Sequence, residues 1–128
     1  MFNGILKAAS AALSICPAAN VRVVDGDTIV ADVGLPAWTK VSMREYVRFT
    51  GVDAQPAGTQ AGNDAAAWLV AKLGAKPVTL VIKNSRDPHG RLLAEVWLDG
   101  EQKSVNTQLV EAGHAVIYKD LEAANEIA

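Results

Sequence analysis

Asp25-Gly26-Asp27 sets two carboxylates around a glycine, between the apolar runs Val23-Val24 and Thr28-Ile29-Val30. Hard divalent cations take oxygen ligands, and an acidic pair on a tight turn between strands positions oxygens at little entropic cost. The same residues also fit an ordinary turn, since Asp-Gly between β-branched runs is the commonest short hairpin signal. Two arginines fall within strand-like segments, Arg48 in Tyr46-Val47-Arg48-Phe49-Thr50 and Arg91 at the head of Leu92-Leu93-Ala94. Taken singly, each fits an exposed strand face or an ion pair. A guanidinium fork is also the protein group best suited to a phosphate, and two forks neutralise a phosphorus centre as it gathers charge. With Asp27 and Asp53 the set becomes more specific than any of its members.

Strands must position these groups. Val21 to Val24 and Thr28 to Val33 alternate as two strands joined at the Asp-Gly-Asp turn, and a polar connection, Gly34 to Met43, follows. Glu45 to Val52 reads as a third strand in which Gly51 allows a bend just before Asp53. Ala54 to Gly62, with Pro56, Gly58 and Gly62, reads as a loop. Asn63 is the expected N-cap of a helix that carries Ala65, Trp68, Leu69 and Leu73 on its apolar side and stops at Gly74. Trp68 is assigned to the core rather than to a ligand platform. Val78 to Lys83 and Leu92 to Leu98 are two further strands, and Ser104 introduces a short helix over Val105 to Ala112 closed by Gly113. Three strands, a helix, two strands and a helix suit a closed barrel better than a parallel sheet. The expected class is therefore α+β, mainly β: a five-stranded OB-type barrel with two or three helices.

The chain has 128 residues, half of them hydrophobic and a fifth charged, which suits one globular domain with a real core. A formal net charge of -2 gives no overall basic footprint, so any polyanion site must be local. Cys16 is the single cysteine, which excludes an internal disulfide and a thiolate zinc site. Residues 1–19 read either as a helix over 2–15, with Phe2, Ile5, Leu6, Ala9 and Leu13 on one face and an end before Pro17, or as a weak signal-like segment. The domain proper is then 20–128, with a cytoplasmic location favoured over export and a monomer favoured. No stretch is long enough to span a bilayer.

The order of motifs from Val21 to Tyr118 resembles the staphylococcal nuclease (thermonuclease) family. Val24-Asp25-Gly26-Asp27-Thr28 looks like the family's first metal-binding turn, and Val47-Arg48-Phe49-Thr50-Gly51-Val52-Asp53-Ala54 like its second block. His89-Gly90-Arg91-Leu92-Leu93-Ala94 resembles the block bearing the second arginine, and Val105-Asn106 through Leu109-Val110-Glu111-Ala112-Gly113 the closing helix. The resemblance implies a calcium-dependent phosphodiesterase acting on DNA or RNA. Position by position, it implies that Asp27, Asp53 and the backbone carbonyl of Ala54 ligate the cation, with Asp25 close by. It implies that Arg48 and Arg91 grip the scissile phosphate, and that His89 and Tyr118 lie near the nucleotide.

One departure bears on the chemistry. The family usually carries Asp-Ala-Pro-Glu here, its glutamate assigned to the attacking water, whereas this chain has Asp53-Ala54-Gln55-Pro56 and no carboxylate between Asp53 and Asp64. Gln55 can orient a water but cannot take its proton, and Asp64 is the next carboxylate able to reach back. The first expectation is thus a nuclease, weakened at its general base. The alternative is a catalytically impaired module that binds nucleic acid or a partner on the same fold, and a third class is a structural component that keeps only the fold.

Overall fold

The computed structural model describes residues 14–35, 40–84 and 86–117. Its strands are β1 (Ser14–Asp25), β2 (Thr28–Gly34), β3 (Ser42–Phe49), β4 (Val52–Ala54), β5 (Val78–Asn84), β6 (Leu92–Trp97) and β7 (Ala115–Ile117). Two helices complete the described residues, α1 (Gln60–Leu73) and α2 (Val105–Glu111). Five strands close a barrel in the order β1-β2-β3-β6-β5, and β4 and β7 form a separate two-stranded sheet. All barrel pairings are antiparallel except β3 with β6. This is the OB-type barrel expected from the chain.

The interior follows strand alternation, one side chain in two pointing inward. Ile29, Ala31 and Val33 of β2 and Val47 and Phe49 of β3 meet Leu80, Ile82, Ala94 and Val96, while Leu69 and Leu73 of α1 and Leu109 of α2 plug the assembly. Trp68 packs at the edge of this core, as its place on the helix suggested. Asn106 is fully buried and rivets α2 to the barrel. Its Oδ1 accepts from Val96 N at 2.9 Å, and its Nδ2 donates to the carbonyls of Thr50 at 2.9 Å and Ala94 at 3.2 Å. That fixes the chain at the Gly51 bend, where φ is +77°.

Three local expectations are corrected. Ser14 and Ile15 are strand, not the end of a helix, because Ser14 to Ala18 pair with Val78 to Ile82 and so close the barrel. Those ladder bonds outweigh the local helical preference of this segment; the rest of that helix expectation lies outside the described residues. Helix α1 starts at Gln60, with Thr59 rather than Asn63 as N-cap, its side chain accepting from Gly62 N. Asn63 instead reaches back, accepting from Gly58 N at 3.2 Å. The third strand ends at Phe49, and Val52 to Ala54 leave it to pair with Ala115 to Ile117, a pairing the alternation pattern does not announce.

Candidate functional site

The turn between β1 and β2 brings Asp27 down onto the end of β4. Asp27 is 8% exposed; its Oδ2 accepts from Ala54 N at 2.9 Å and its Oδ1 from the Thr28 hydroxyl at 3.2 Å. Burial pushes its carboxyl up, and the neighbouring Asp25 adds to the rise against the opposing Ala54 hydrogen bond and the Arg48 charge. Asp25 is half-buried, its Oδ1 accepting from Asp27 N at 3.2 Å.

Gly26 has a packing reason to be glycine. It is absent from the glycines with positive φ, so the turn does not use its conformational freedom. A Cβ there would lie 2.7 Å from Ala65 Cβ and 2.8 Å from Ala54 Cβ. The missing side chain lets the turn seat against α1 and β4 together.

Arg48 pairs with Thr28 across β2 and β3 and is mostly buried. Nη1 donates to the carbonyls of Phe49 and Val52, each at 2.8 Å, and Nη2 lies 3.5 Å from Asp27 Oδ2 and 3.3 Å from Asp53 Oδ1. Both candidate metal carboxylates therefore converge on one nitrogen. Asp53 itself is 62% exposed at its side chain and reaches solvent. The parallel pairing of Arg48 with Leu93 sets Arg91 just beyond the end of the β3–β6 ladder. Its Nη1 is 3.5 Å from Thr28 Oγ1, the hydroxyl that also donates to Asp27. Arg91, Thr28, Asp27, Arg48 and Asp53 form one connected polar patch.

Thr28 and Asp87 are the members that sequence reasoning missed. Asp87 Oδ1 accepts from both His89 N and Arg91 N at 2.9 Å, and Oδ2 accepts from Arg91 Nε at 2.7 Å. Desolvation raises the Asp87 carboxyl, but these hydrogen bonds and the Arg91 charge outweigh it and hold it below the usual range. An aspartate four residues before an arginine, across His89-Gly90, is the signal that was available. The carboxylate ties the Nε edge of the guanidinium and leaves its far edge for another acceptor.

Gln55 and Asp64 share a cleft with Asp53 and His114, of about 270 Å³. Gln55 is exposed, and Asp64 Oδ1 accepts from Gln60 Nε2 at 2.8 Å. Gly62 holds this region together: a Cβ on it would fall 2.6 Å from the Gln55 carbonyl oxygen and 2.0 Å from that of Pro56. His89 is exposed and lines a second cleft with Arg91. Tyr118 lies outside the described residues. Among the described residues no three His, Cys, Asp or Glu side chains gather as a metal cluster, and no helix is long and apolar enough to cross a membrane.

No curated protein matches the chain. The family model described as staphylococcal nuclease homologue matches residues 46–127, which takes in Arg48, Asp53, Asp87 and Arg91, the second half of β3 and the strands β4 to β7. With more than half its length matched on an OB-type barrel, the chain belongs to the staphylococcal nuclease homologue family.

Proposed function

We propose that this protein is a calcium-type, divalent-cation-dependent phosphodiesterase of DNA or RNA, working at the patch between β2, β3, β4 and β6. The observation that carries the reading is the convergence of Asp27 and Asp53 on Arg48 Nη2, at 3.5 and 3.3 Å. Two carboxylates that aim at one positive centre are an all-oxygen donor set, and with the Ala54 carbonyl and water they fit a hard divalent ion. Asp25 sits beside them and adds negative charge.

When bound, such an ion supplies Lewis-acid polarisation of a phosphoryl oxygen. The chain's own residues do the remainder. Arg91, oriented by Asp87, presents its free edge to the phosphate and stabilises the charge gathering there. Arg48, itself held by the Phe49 and Val52 carbonyls, keeps the two carboxylates in register and adds positive charge on the same face. Gln55 orients the attacking water by hydrogen bonding without accepting its proton, and His89 borders the nucleotide.

Purified protein incubated with single-stranded DNA and RNA should yield fragments with calcium and none after chelation. Cleavage no greater than that of an Arg48→Ala/Arg91→Ala double variant overturns the reading. A second reading, a binding module that has lost turnover, is favoured by Gln55-Pro56 standing where the family carries glutamate. General-base loss costs about 10² to 10⁴ in rate. A large gain in cleavage from Gln55→Glu or Pro56→Glu marks the missing base as the limiting defect. Salt-resistant binding without cleavage in any of these variants favours the module.

A further inference from the structure

The turn that closes α2 delivers His114 to a defined place. Gly113, at φ +82°, takes the left-handed position after the helix. His114 N donates to the Leu109 carbonyl and Gly113 N to that of Val110, each at 3.0 Å. This pair of bonds is the Schellman cap, which satisfies the last carbonyls of a helix and fixes the direction in which the chain leaves it. Because Asn106 already ties α2 to the barrel, His114 stands on a rigid mount. Its ring lies against Trp68, with centroids 6.0 Å apart and planes at 43°.

From there the chain enters β7, which pairs Ala115 with Ala54 and Val116 with Asp53. Continued by one residue, that register sets His114 opposite Gln55. Side chains two residues apart on a strand share a face, so His114 and Gln55 stand on the face that carries Asp53, and all three line the cleft of about 270 Å³. Directly opposed residues have Cβ atoms about 4.5–5.5 Å apart, and diagonal ones about 7 Å. A water hydrogen-bonded to the Gln55 amide is then within reach of the imidazole. Neither ring nitrogen of His114 has a hydrogen-bond partner among the described residues. Asp64, the carboxylate that α1 brings to the same cleft, is exposed and already accepts from Gln60 Nε2 at 2.8 Å.

We infer that His114 is the general base of the proposed reaction, taking from the attacking water the proton that Gln55 cannot take. The inference rests on the phosphodiesterase reading. The water oxygen forms the new bond to phosphorus as its proton passes to an imidazole nitrogen. The bond from phosphorus to the leaving sugar oxygen breaks, its electron pair stays on that oxygen, and the oxygen takes a proton from solvent. The imidazolium then gives its proton to bulk water, which regenerates the residue. Histidine is the side chain most often used for this transfer. Here it reaches the water from the β7 side of the cleft rather than from the loop that follows β4.

The test is single-turnover cleavage of a labelled single strand in calcium by the full chain, for the wild type, His114→Ala and His114→Gln, with and without added imidazoles of graded basicity. Both variants are expected to lose about 10²- to 10⁴-fold in the cleavage step, with calcium affinity by calorimetry unchanged and the thermal midpoint of His114→Gln kept. Added imidazole is expected to restore His114→Ala, more so as its basicity rises, and to leave Arg91→Ala inactive. A packing role against Trp68 moves the thermal midpoint and gives no such dependence on the added base. With calcium-dependent cleavage by the wild type in hand, three results overturn the assignment and leave the phosphodiesterase reading standing: variant rates within a few-fold of wild type, a loss that no imidazole restores, or the loss falling on Asp64→Asn instead. No calcium-dependent cleavage by the wild type overturns both.

Discussion

Asp27 Oδ2 accepts the amide hydrogen of Ala54 at 2.9 Å, a bond that ties the β1–β2 turn to β4 across 27 residues of chain. Asp27 is thus at once a candidate ligand and a structural strut, while Asp53 is mainly the former. Asp27→Ala leaves buried donors without acceptors and should cost about 1–3 kcal/mol in urea unfolding. Asp53→Ala, at an exposed side chain with one ion pair, should cost less than about 1 kcal/mol. Both should abolish calcium binding by calorimetry, so that stability and metal affinity separate in one variant and fall together in the other.

Asp87 touches no candidate metal ligand, yet it aims Arg91. Asp87→Ala should lower the cleavage rate about 10²-fold through misplacement of the guanidinium, with calcium affinity unchanged. Arg91→Lys should not restore what Arg91→Ala removes, because an ammonium lacks the fork that serves Asp87 and phosphate at once.

Gly26 in the β1–β2 turn and Gly62 in the first turn of α1 are both expected to be intolerant of a side chain. Gly62→Ala drives a methyl into the Gln55 and Pro56 carbonyls, and Gly26→Ala drives one between Ala54 and Ala65. Overpacking of this kind costs about 1–3 kcal/mol. Thermal unfolding measures that loss, and calcium affinity should fall more for Gly26→Ala, whose methyl separates Asp27 from β4.

The barrel was legible because alternation in β2, β3, β5 and β6 is local and strong, and the glycine at Gly51 marks the bend before Asp53. The extension of β1 back to Ser14 was not, since its pattern acquires meaning only when β5 pairs beside it. Asp27, Asp53, Arg48 and Arg91 could be picked out by type and spacing, but their state of engagement could not. The sequence suggests two free forks, whereas Arg48 is taken up by two carbonyls and two carboxylates. Thr28 and Asp87 were overlooked because a threonine in a strand and an aspartate in a loop carry no signal until the fold brings Arg91 to both.

Acid should weaken the Arg91 and Arg86 supports together. Asp87 is held below the usual carboxylate range as described, and Glu45 is lowered first by the Arg86 hydrogen bonds and then by its charge, against some desolvation. For carboxyls with depressed folded pKa values, the stabilisation is present above their ordinary pKa and is lost as pH falls through the folded value. Unfolding midpoints should therefore drop below the ordinary carboxylate range. Asp87→Asn and Glu45→Gln should each flatten that drop, and an unchanged acid profile in both would show that these pairs do not contribute.

Single-turnover cleavage of a labelled single strand, run in parallel for the wild type, Asp53→Ala and Arg91→Ala with calcium and with chelator, tests the proposed chemistry most directly. That chemistry requires calcium-dependent products from the wild type, none in chelator, and losses of at least about 10²-fold in both variants. Products that persist in chelator, or wild-type rates in either variant, would contradict it.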